Sequence, residues 1–501
     1  MAAAEGSDTG DMRSRVARGL GWVGASQLVA QLVRTVGAIA VARLLLPAEF
    51  GLAALALVFA SLVLVFSDLA LGAALVQRKH LTERDRSTAF WVTVGCGIGF
   101  TIGGYALSGP VAALYQQPAV QPLLAVMSLS FLLTALGATQ QSLLLRDMDF
   151  KRLEGLNVLG ALAGVAGAVA LAATGAGAWA IIGQQLITAA VTSALMWWAS
   201  AWRPRLQFSR ASLMDLGSFS SYLVGHRLLY YTHMNADRFL IGRFLGTSAL
   251  GAYAVAYNVM LAPAARIAGP IQRVLAPAFA RMQDEPERIA AAWARVTRLV
   301  GAIAIPALTG VVVVAPDFVP VVLGEQWRAA IPVVQVLAWV GILQRLQAVN
   351  VDIMMARDRT STLFKYTTFF CTAHVLAFTV GLQWGVVGVA AAYAISSTLV
   401  EPVLTVLTAR ALGVSPWVFV RSVVGVAQAA LAMGAIALAA RVALVDIEVP
   451  ALARLVLVSA LGLAIYVPLC AWRAPEVARD VRLLLGERGR APRGTPVPAE
   501  S

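Results

Sequence analysis

The sequence predicts an all-α membrane protein with about 14 transmembrane helices. Its 501 residues are 59% hydrophobic and only 13% charged, and the mean hydropathy is +0.76. Soluble domains carry about 25% charged residues. Apolar stretches such as 88–108, 155–173 and 451–470 are long enough to cross ~30 Å of hydrocarbon as helices. Together these observations exclude a soluble fold.

The apolar stretches follow one another at short intervals along most of the chain. The first of them contains Gln27, Gln31 and Arg34, so we expect a retained helix and not a cleaved signal. The predicted spans are 18–42, 50–76, 88–108, 120–145, 154–174, 178–201, 216–242, 251–279, 299–316, 331–352, 366–382, 385–408, 422–440 and 455–472.

The basic residues are concentrated on one side of these spans. The two terminal tails and the even-numbered loops hold 28 Lys and Arg residues, with Arg18 at the first position of span 1 counted in the amino-terminal tail, whereas the odd-numbered loops hold 5. By the positive-inside rule this asymmetry predicts that both termini lie in the cytoplasm. Loop topology thus accounts for most of the net charge of +13, and we expect no nucleic-acid partner.

A repeat at an offset of 200 residues divides the chain. Segment 43–56 (RLLLPAEFGLAALA) is echoed at 243–256 (RFLGTSALGAYAVA). TGAGAWAII (174–182) and WGVVGVAAA (384–392) each open the sixth span of a half. We therefore expect two six-helix lobes related by a pseudo-twofold axis. The predicted boundaries are a cytoplasmic tail at 1–17, an N-lobe at 18–201, a basic linker at 202–215, a C-lobe at 216–408, two extra helices at 409–473 and a basic, partly disordered cytoplasmic tail at 474–501.

Arginines inside the spans are the main functional signal. One arginine at mid-bilayer costs about 2.5–3.5 kcal/mol, so we expect these residues to face water, a partner or a ligand. In span 1 the polar residues lie at i, i+4 and i+7, and in span 7 at i, i+4 and i+11, each set on one helix face. We predict a cationic, polar substrate-binding cavity formed by Gln27, Gln31, Arg34, Arg227, Tyr231, Arg238, Arg266 and Arg345.

The planar guanidinium group suits phosphate and diphosphate, because it can donate two hydrogen bonds at once. Neighbouring amide and phenol groups could serve sugar hydroxyls. The sequence leaves two roles open for the intramembrane acids Asp68 and Asp237: they could couple transport to an ion or neutralise an arginine. No catalytic motif, metal-ligand spacing or cofactor-binding loop is present, so we predict no metal and no cofactor.

Four segments resemble polysaccharide flippases of the Wzx/teichuronic-acid exporter type. These flippases belong to the multidrug/oligosaccharidyl-lipid/polysaccharide exporter superfamily. The resemblance covers about residues 15–440, in order and with similar spacing. The segments are ARLLLPAEFGLAAL (42–55), SDLALGAALVQR (67–78), RDMDFKRL (146–153) and MNADRFLIGRFLGTSALGAYAVAYNV (234–259).

The resemblance implies a transporter and not an enzyme. It implies alternating access and translocation of an undecaprenyl-diphosphate-linked oligosaccharide across the cytoplasmic membrane for cell-surface polysaccharide and lipopolysaccharide biosynthesis. The expected partners are that lipid-linked sugar, membrane lipids, H⁺ or Na⁺, and neighbouring polymerases or glycosyltransferases. Two alternatives stay open at this point: a peptidoglycan lipid II flippase, and a membrane-embedded glycosyltransferase or polysaccharide polymerase.

Overall fold

The computed structural model describes residues 29–67, 75–76, 81–210, 221–261, 282 and 285–486. Side chains are described for the same residues except 60–67, 221–230, 232–233, 259–261 and 483–486. Every regular element within these ranges is helical, which confirms the all-α prediction. Nine helical stretches of the described residues are long and apolar enough to cross a membrane. The predicted number of spans, about 14, stays a prediction.

The helices are numbered α1 to α16 along the chain. Short π-helical or 3₁₀ turns follow α9, α10 and α12. The helices are α1 (29–44), α2 (Pro47–Ser67), α3 (Glu83–Tyr115), α4 (Val120–Met127), α5 (Leu129–Arg146), α6 (Phe150–Ala173), α7 (Trp179–Ala199), α8 (Ser221–Phe244), α9 (Thr247–Val255), α10 (Pro286–Phe318), α11 (Ile331–Ala356), α12 (Thr360–Gly381), α13 (Gly385–Leu412), α14 (Trp417–Asp446), α15 (Ala451–Arg473) and α16 (Pro475–Gly486).

The chain forms two compact units. Unit 1 takes its residues from Met1–Val259, Val322–Val333 and Cys371–Ala392, and unit 2 takes the remainder. The boundaries of the two lobes, the linker and the tails, as the sequence predicts them, stay predictions.

Helix starts follow local sequence signals. Pro47 occupies the first position of α2, where its missing N–H is not needed, and the Glu49 carboxylate accepts a hydrogen bond from the Leu46 N–H (2.8 Å). The start of α3 has a capping box, in which Thr82 and Asp85 each accept a hydrogen bond from the other's backbone N–H (3.2 and 3.0 Å).

Glycine turns lie in the two repeated segments 174–182 and 384–392. Gly175 and Gly177 have φ values of +78° and +55°, and Gly385 has a φ of +70°. This left-handed region is readily open only to glycine. The turns end α6 and α12, and the next helices begin at Trp179 and Gly385. The prediction of a helix start after a short glycine turn is confirmed in both copies.

The repeated segments themselves cross each other inside unit 1. They form the beginnings of α2 and α9. A Cβ atom on Gly51 would lie 1.8 Å from the Thr247 carbonyl oxygen, and a Cβ on Gly251 would lie 1.9 Å from that of Pro47. Each glycine therefore contacts the carbonyl group of the first residue of the other helix. Adding 200 to Gly51 and subtracting 200 from Thr247 gives the second pair, Gly251 and Pro47, so the two contacts are equivalent under the repeat. Only glycine allows so close a backbone approach.

The stretch after α7 lies along the start of α3, also within unit 1. The Trp202 indole donates to the Glu83 carboxylate (2.7 Å) and the Trp91 indole donates to the Arg205 carbonyl (2.8 Å). The Arg205 N–H donates to the Ser87 hydroxyl (3.1 Å). These bonds give the backbone of the non-helical residues 201–209 polar partners on α3.

In unit 2 a buried carboxylate joins α10 to the last two membrane helices. Asp317 is 2% exposed. Arg441 of α14 donates to its Oδ2 (2.5 Å), and Arg454 of α15 donates to its Oδ1 from Nε (3.0 Å) and Nη2 (2.5 Å). All three residues lie in odd-numbered loops of the predicted topology, which are external by the positive-inside rule, and no sequence pattern pairs them.

A second ion-pair cluster joins α16 to the first half of α10. The Asp480 carboxylate accepts from Arg298 (2.8 Å) and lies 3.3 Å from Arg295. Together with the Asp317 cluster, it holds the hairpin of α14 and α15, with the following helix α16, to two separate points along α10.

Replacing Gly51 with Ala tests the crossing of α2 and α9. The added methyl group would overlap the Thr247 carbonyl, so the helices must separate, at a cost of about 1–3 kcal/mol. We expect a lower midpoint of thermal unfolding in detergent. The control is Gly99→Ala in α3, where the new Cβ meets no atom within 4 Å. Equal midpoints for both variants would contradict the close contact.

Replacing Asp317 with Asn tests the arginine cluster. Two largely buried guanidinium groups would lose their counter-charge, and breaking a buried ion pair from one side costs about 3–5 kcal/mol. The midpoint of thermal unfolding should fall clearly. Glu325→Gln is the matched control, because Glu325 pairs with Arg328 at the surface, where such pairs contribute little. If the control destabilised the protein as much, the cluster would have no special role.

Candidate functional site: a polar pocket in unit 1

A polar pocket of about 330 Å³ lies between α1, α5, α6 and α7 of unit 1. Most side chains that line it carry a hydrogen-bonding or charged group, in a chain that is 59% hydrophobic. Its volume falls in the ~300–1,000 Å³ range of small-molecule pockets. The polar lining residues are Arg34, Thr134, Gln141, Glu154, Asn157, Gln185, Thr188, Thr192 and Ser193.

Helix periodicity brings these residues to one place. On α7, Gln185, Thr188 and Thr192 follow one another at i, i+3 and i+7, a spacing that keeps them on one face. On α6, Glu154 and Asn157 are three residues apart and line the same pocket. The pocket is therefore built from whole helix faces and does not depend on a loop.

Two glycines of α6 let the hydroxyl row of α7 come close. A Cβ on Gly160 would lie 2.0 Å from the Thr192 hydroxyl oxygen, and a Cβ on Gly164 would lie 1.9 Å from that of Thr188. The Thr188 hydroxyl donates to the Gln184 carbonyl (2.7 Å). Because the hydroxyl proton of Thr188 is donated within the helix, its oxygen can only accept a hydrogen bond from a ligand.

Arg34 is the cation of this pocket. Its side chain is exposed and makes no hydrogen bond or ion pair with any residue that the structure describes. On the same helix, the Gln31 amide donates to the Thr35 hydroxyl (3.0 Å). A guanidinium group without a partner among the described residues retains its donors for a ligand or water.

The predicted residues of span 7 lie on α8, and those with described side chains have partners in unit 1. Tyr231 donates a hydrogen bond to the Val58 carbonyl. The Asp237 carboxylate is buried and accepts from the Tyr253 hydroxyl (2.7 Å). The Arg238 guanidinium lies 5.2 Å from the centroid of the Tyr257 ring, at cation–π distance. These contacts join α8 to α2, α9 and the π-helical turn after α9.

Arg345 lies on α11, in unit 2, and therefore belongs to a different part of the structure from the pocket. It interacts electrostatically with the Glu401 carboxylate of α13, which is 2% exposed. Two residues further along α11, the buried Gln347 amide donates to the Thr405 hydroxyl (2.8 Å). The interface of α11 and α13 is thus polar and closely packed.

Four predicted site residues cannot be placed. Gln27, Asp68 and Arg266 lie outside the described residues, as does the side chain of Arg227. The predicted set of cavity residues as a whole, with the ion-coupling or neutralising roles of Asp68 and Asp237, stays a prediction.

Most residues that line the pocket are not among the predicted site residues. The predicted residues lie in spans that contain arginine, and α5, α6 and α7 contain no arginine within their predicted spans. The signal that could have found these residues is the polar periodicity of α7 and the pair Glu154 and Asn157 at the start of α6. Among the described residues, no three His, Cys, Asp or Glu side chains form a group that could hold a metal ion.

The fold is that of a membrane transporter. A solved structure of the lipid II flippase MurJ in an inward closed conformation matches with a TM-score of 0.73 at 13% identity, covering 91% of this chain and 99% of that one. A multidrug resistance MATE family transporter of the MOP superfamily, in an inward-facing conformation, matches with a TM-score of 0.60 at 14% identity, covering 77% and 94%.

The chain belongs to the polysaccharide biosynthesis protein family, whose sequence model matches residues 40–332. It is 29% identical over 400 residues to the lipopolysaccharide biosynthesis protein WzxC of Escherichia coli, covering 79% of this chain and 80% of that one. It is 30% identical over 347 residues to the teichuronic acid biosynthesis protein TuaB of Bacillus subtilis, covering 68% and 71%. The resemblance to polysaccharide flippases is confirmed, and the protein is a multi-pass membrane protein.

Proposed function

We propose that this protein translocates lipid-linked oligosaccharides, of the polyprenyl diphosphate type, across the cytoplasmic membrane for cell-surface polysaccharide biosynthesis. Family membership and the transporter fold support transport as the class of activity. The succinoglycan biosynthesis transport protein ExoT of Rhizobium meliloti, 28% identical over 323 residues, carries transport in its name.

The observation that carries the proposal is Arg34 in the polar pocket. A lipid-linked oligosaccharide has an anionic, hydroxyl-rich head and a long apolar tail. The head needs hydrogen-bonding groups while it crosses the apolar part of the bilayer, because an unsatisfied polar group there costs several kcal/mol. The pocket supplies amides, hydroxyls and a guanidinium that has no partner among the described residues, and the tail can stay in lipid.

Orientation and energy source are further parts of the proposal. The excess of Lys and Arg in the tails and even-numbered loops supports cytoplasmic termini. We propose alternating access coupled to a proton or sodium gradient, with membrane lipids around the protein and sugar-polymerising or sugar-transferring enzymes as neighbours. The protein acts as a carrier and not as an enzyme, and it needs no metal or cofactor.

Translocation in proteoliposomes tests the function. Purified protein is reconstituted with undecaprenyl-diphosphate-linked disaccharides or with lipid II, under an imposed proton or sodium gradient, and the sugar exposed on each side is measured. Preferential transport of lipid II would favour the peptidoglycan alternative. Sugar polymer formed by the protein alone would favour a polymerase.

Replacing Arg34 with Ala should reduce the translocation rate by about 10- to 100-fold, because a hydrogen bond to a charged group contributes about 1.5–3 kcal/mol. Arg34→Lys should restore part of the rate, since it keeps the charge but loses the planar fork. Arg421→Ala is the control: this exposed arginine begins α14 and does not line the pocket. Full transport by the Arg34→Ala variant would refute the pocket's role.

A further inference from the structure

We propose that the pocket between α1, α5, α6 and α7 binds a sugar residue of the transported molecule, and that the diphosphate binds outside it. The inference rests on the proposed function and makes it more specific. The ligand of the pocket would be a hydroxyl-bearing, uncharged sugar ring.

The charge balance of the pocket disfavours a diphosphate. Among the described residues that line the pocket, Arg34 and Glu154 carry charges of opposite sign. A diphosphate diester carries about two negative charges, and Glu154 would repel it in a region of low dielectric constant. An uncharged sugar meets no such repulsion, because its hydroxyl groups can donate to the carboxylate and accept from the guanidinium.

The hydrogen-bonding groups match a ring that carries several hydroxyls. Gln141, Asn157 and Gln185 each supply an amide that can both donate and accept. The Thr188 hydroxyl oxygen is an acceptor, because its proton already goes to the Gln184 carbonyl (2.7 Å). A sugar hydroxyl is also both donor and acceptor, so mixed amide and hydroxyl linings suit it better than an all-donor lining.

The position of these groups on rigid helices favours recognition of one shape. Thr188 and Thr192 are held against α6 by the glycine contacts of Gly164 and Gly160. Glu154 and Asn157 face the same space from α6. Because both sets lie on packed helices, the distances between donors and acceptors are fixed before the ligand binds, which lowers the entropy lost on binding.

Binding to the purified full chain in nanodiscs tests the inference. The probes are undecaprenyl diphosphate without sugar and the same lipid carrying glucose, galactose or N-acetylglucosamine disaccharides. The variants are Asn157→Leu and Thr188→Val, which keep the side-chain volume but remove hydrogen-bonding groups. Thr379→Val is the matched control, because Thr379 makes the same bond to the carbonyl four residues earlier (2.9 Å) and does not line the pocket.

We expect at least one sugar-bearing lipid to bind more tightly than the bare lipid. Each pocket variant should weaken the affinity for that sugar-bearing lipid by about three- to tenfold, which is the contribution of one hydrogen bond. Its affinity for bare undecaprenyl diphosphate should stay unchanged. Equal weakening for both lipids would overturn the inference, since the pocket would then bind the diphosphate. The inference would also be overturned if the wild-type protein bound no disaccharide-bearing lipid more tightly than the bare lipid. Failure of the proposed function is a separate result: the wild-type protein would bind these lipids but not translocate them in proteoliposomes.

Discussion

A polar side chain inside hydrocarbon must find its partner within the protein, and this requirement orders both units. In unit 2 the buried Asp317 is held between Arg441 and Arg454. In unit 1 the buried Asp237 accepts from Tyr253. The cost of leaving such groups unpaired is several kcal/mol, so each pair constrains which helices can be neighbours. Arg34 differs from these buried carboxylates, because it is exposed and has no partner among the described residues.

The features that depend on local sequence could be predicted. The hydrophobic content determines the fold class, and the repeat locates the glycines at 51 and 251 and the turns before α7 and α13. These signals are readable because a transmembrane helix satisfies its own backbone, so its position follows from its own residues. The repeated unit and the arginines inside its spans predict a substrate-binding cavity, and the family resemblance adds the prediction that the substrate is a lipid-linked oligosaccharide.

Features that join distant helices could not be predicted in the same way. From the sequence, Asp317 is predicted to lie in an external loop. Only the packing of α14 and α15 shows that it pairs with two arginines. The pocket shows the same limit. Asn157 and Thr188 are ordinary polar residues in their own helices, and they line one pocket where the glycines of α6 let α7 approach closely. The positions of the arginines alone therefore predict only part of the pocket lining.

The crossing of α2 and α9 has a consequence for the origin of the chain. Each of its two segments supplies one glycine and one carbonyl, so position 51 meets 247 and position 251 meets 47. This reciprocity is the property of an isologous interface, in which two identical surfaces complement each other. A shorter chain with one copy of the segment would already possess both halves of the contact and could form it by dimerisation. Fusion of two such copies would join the halves without requiring a new interface.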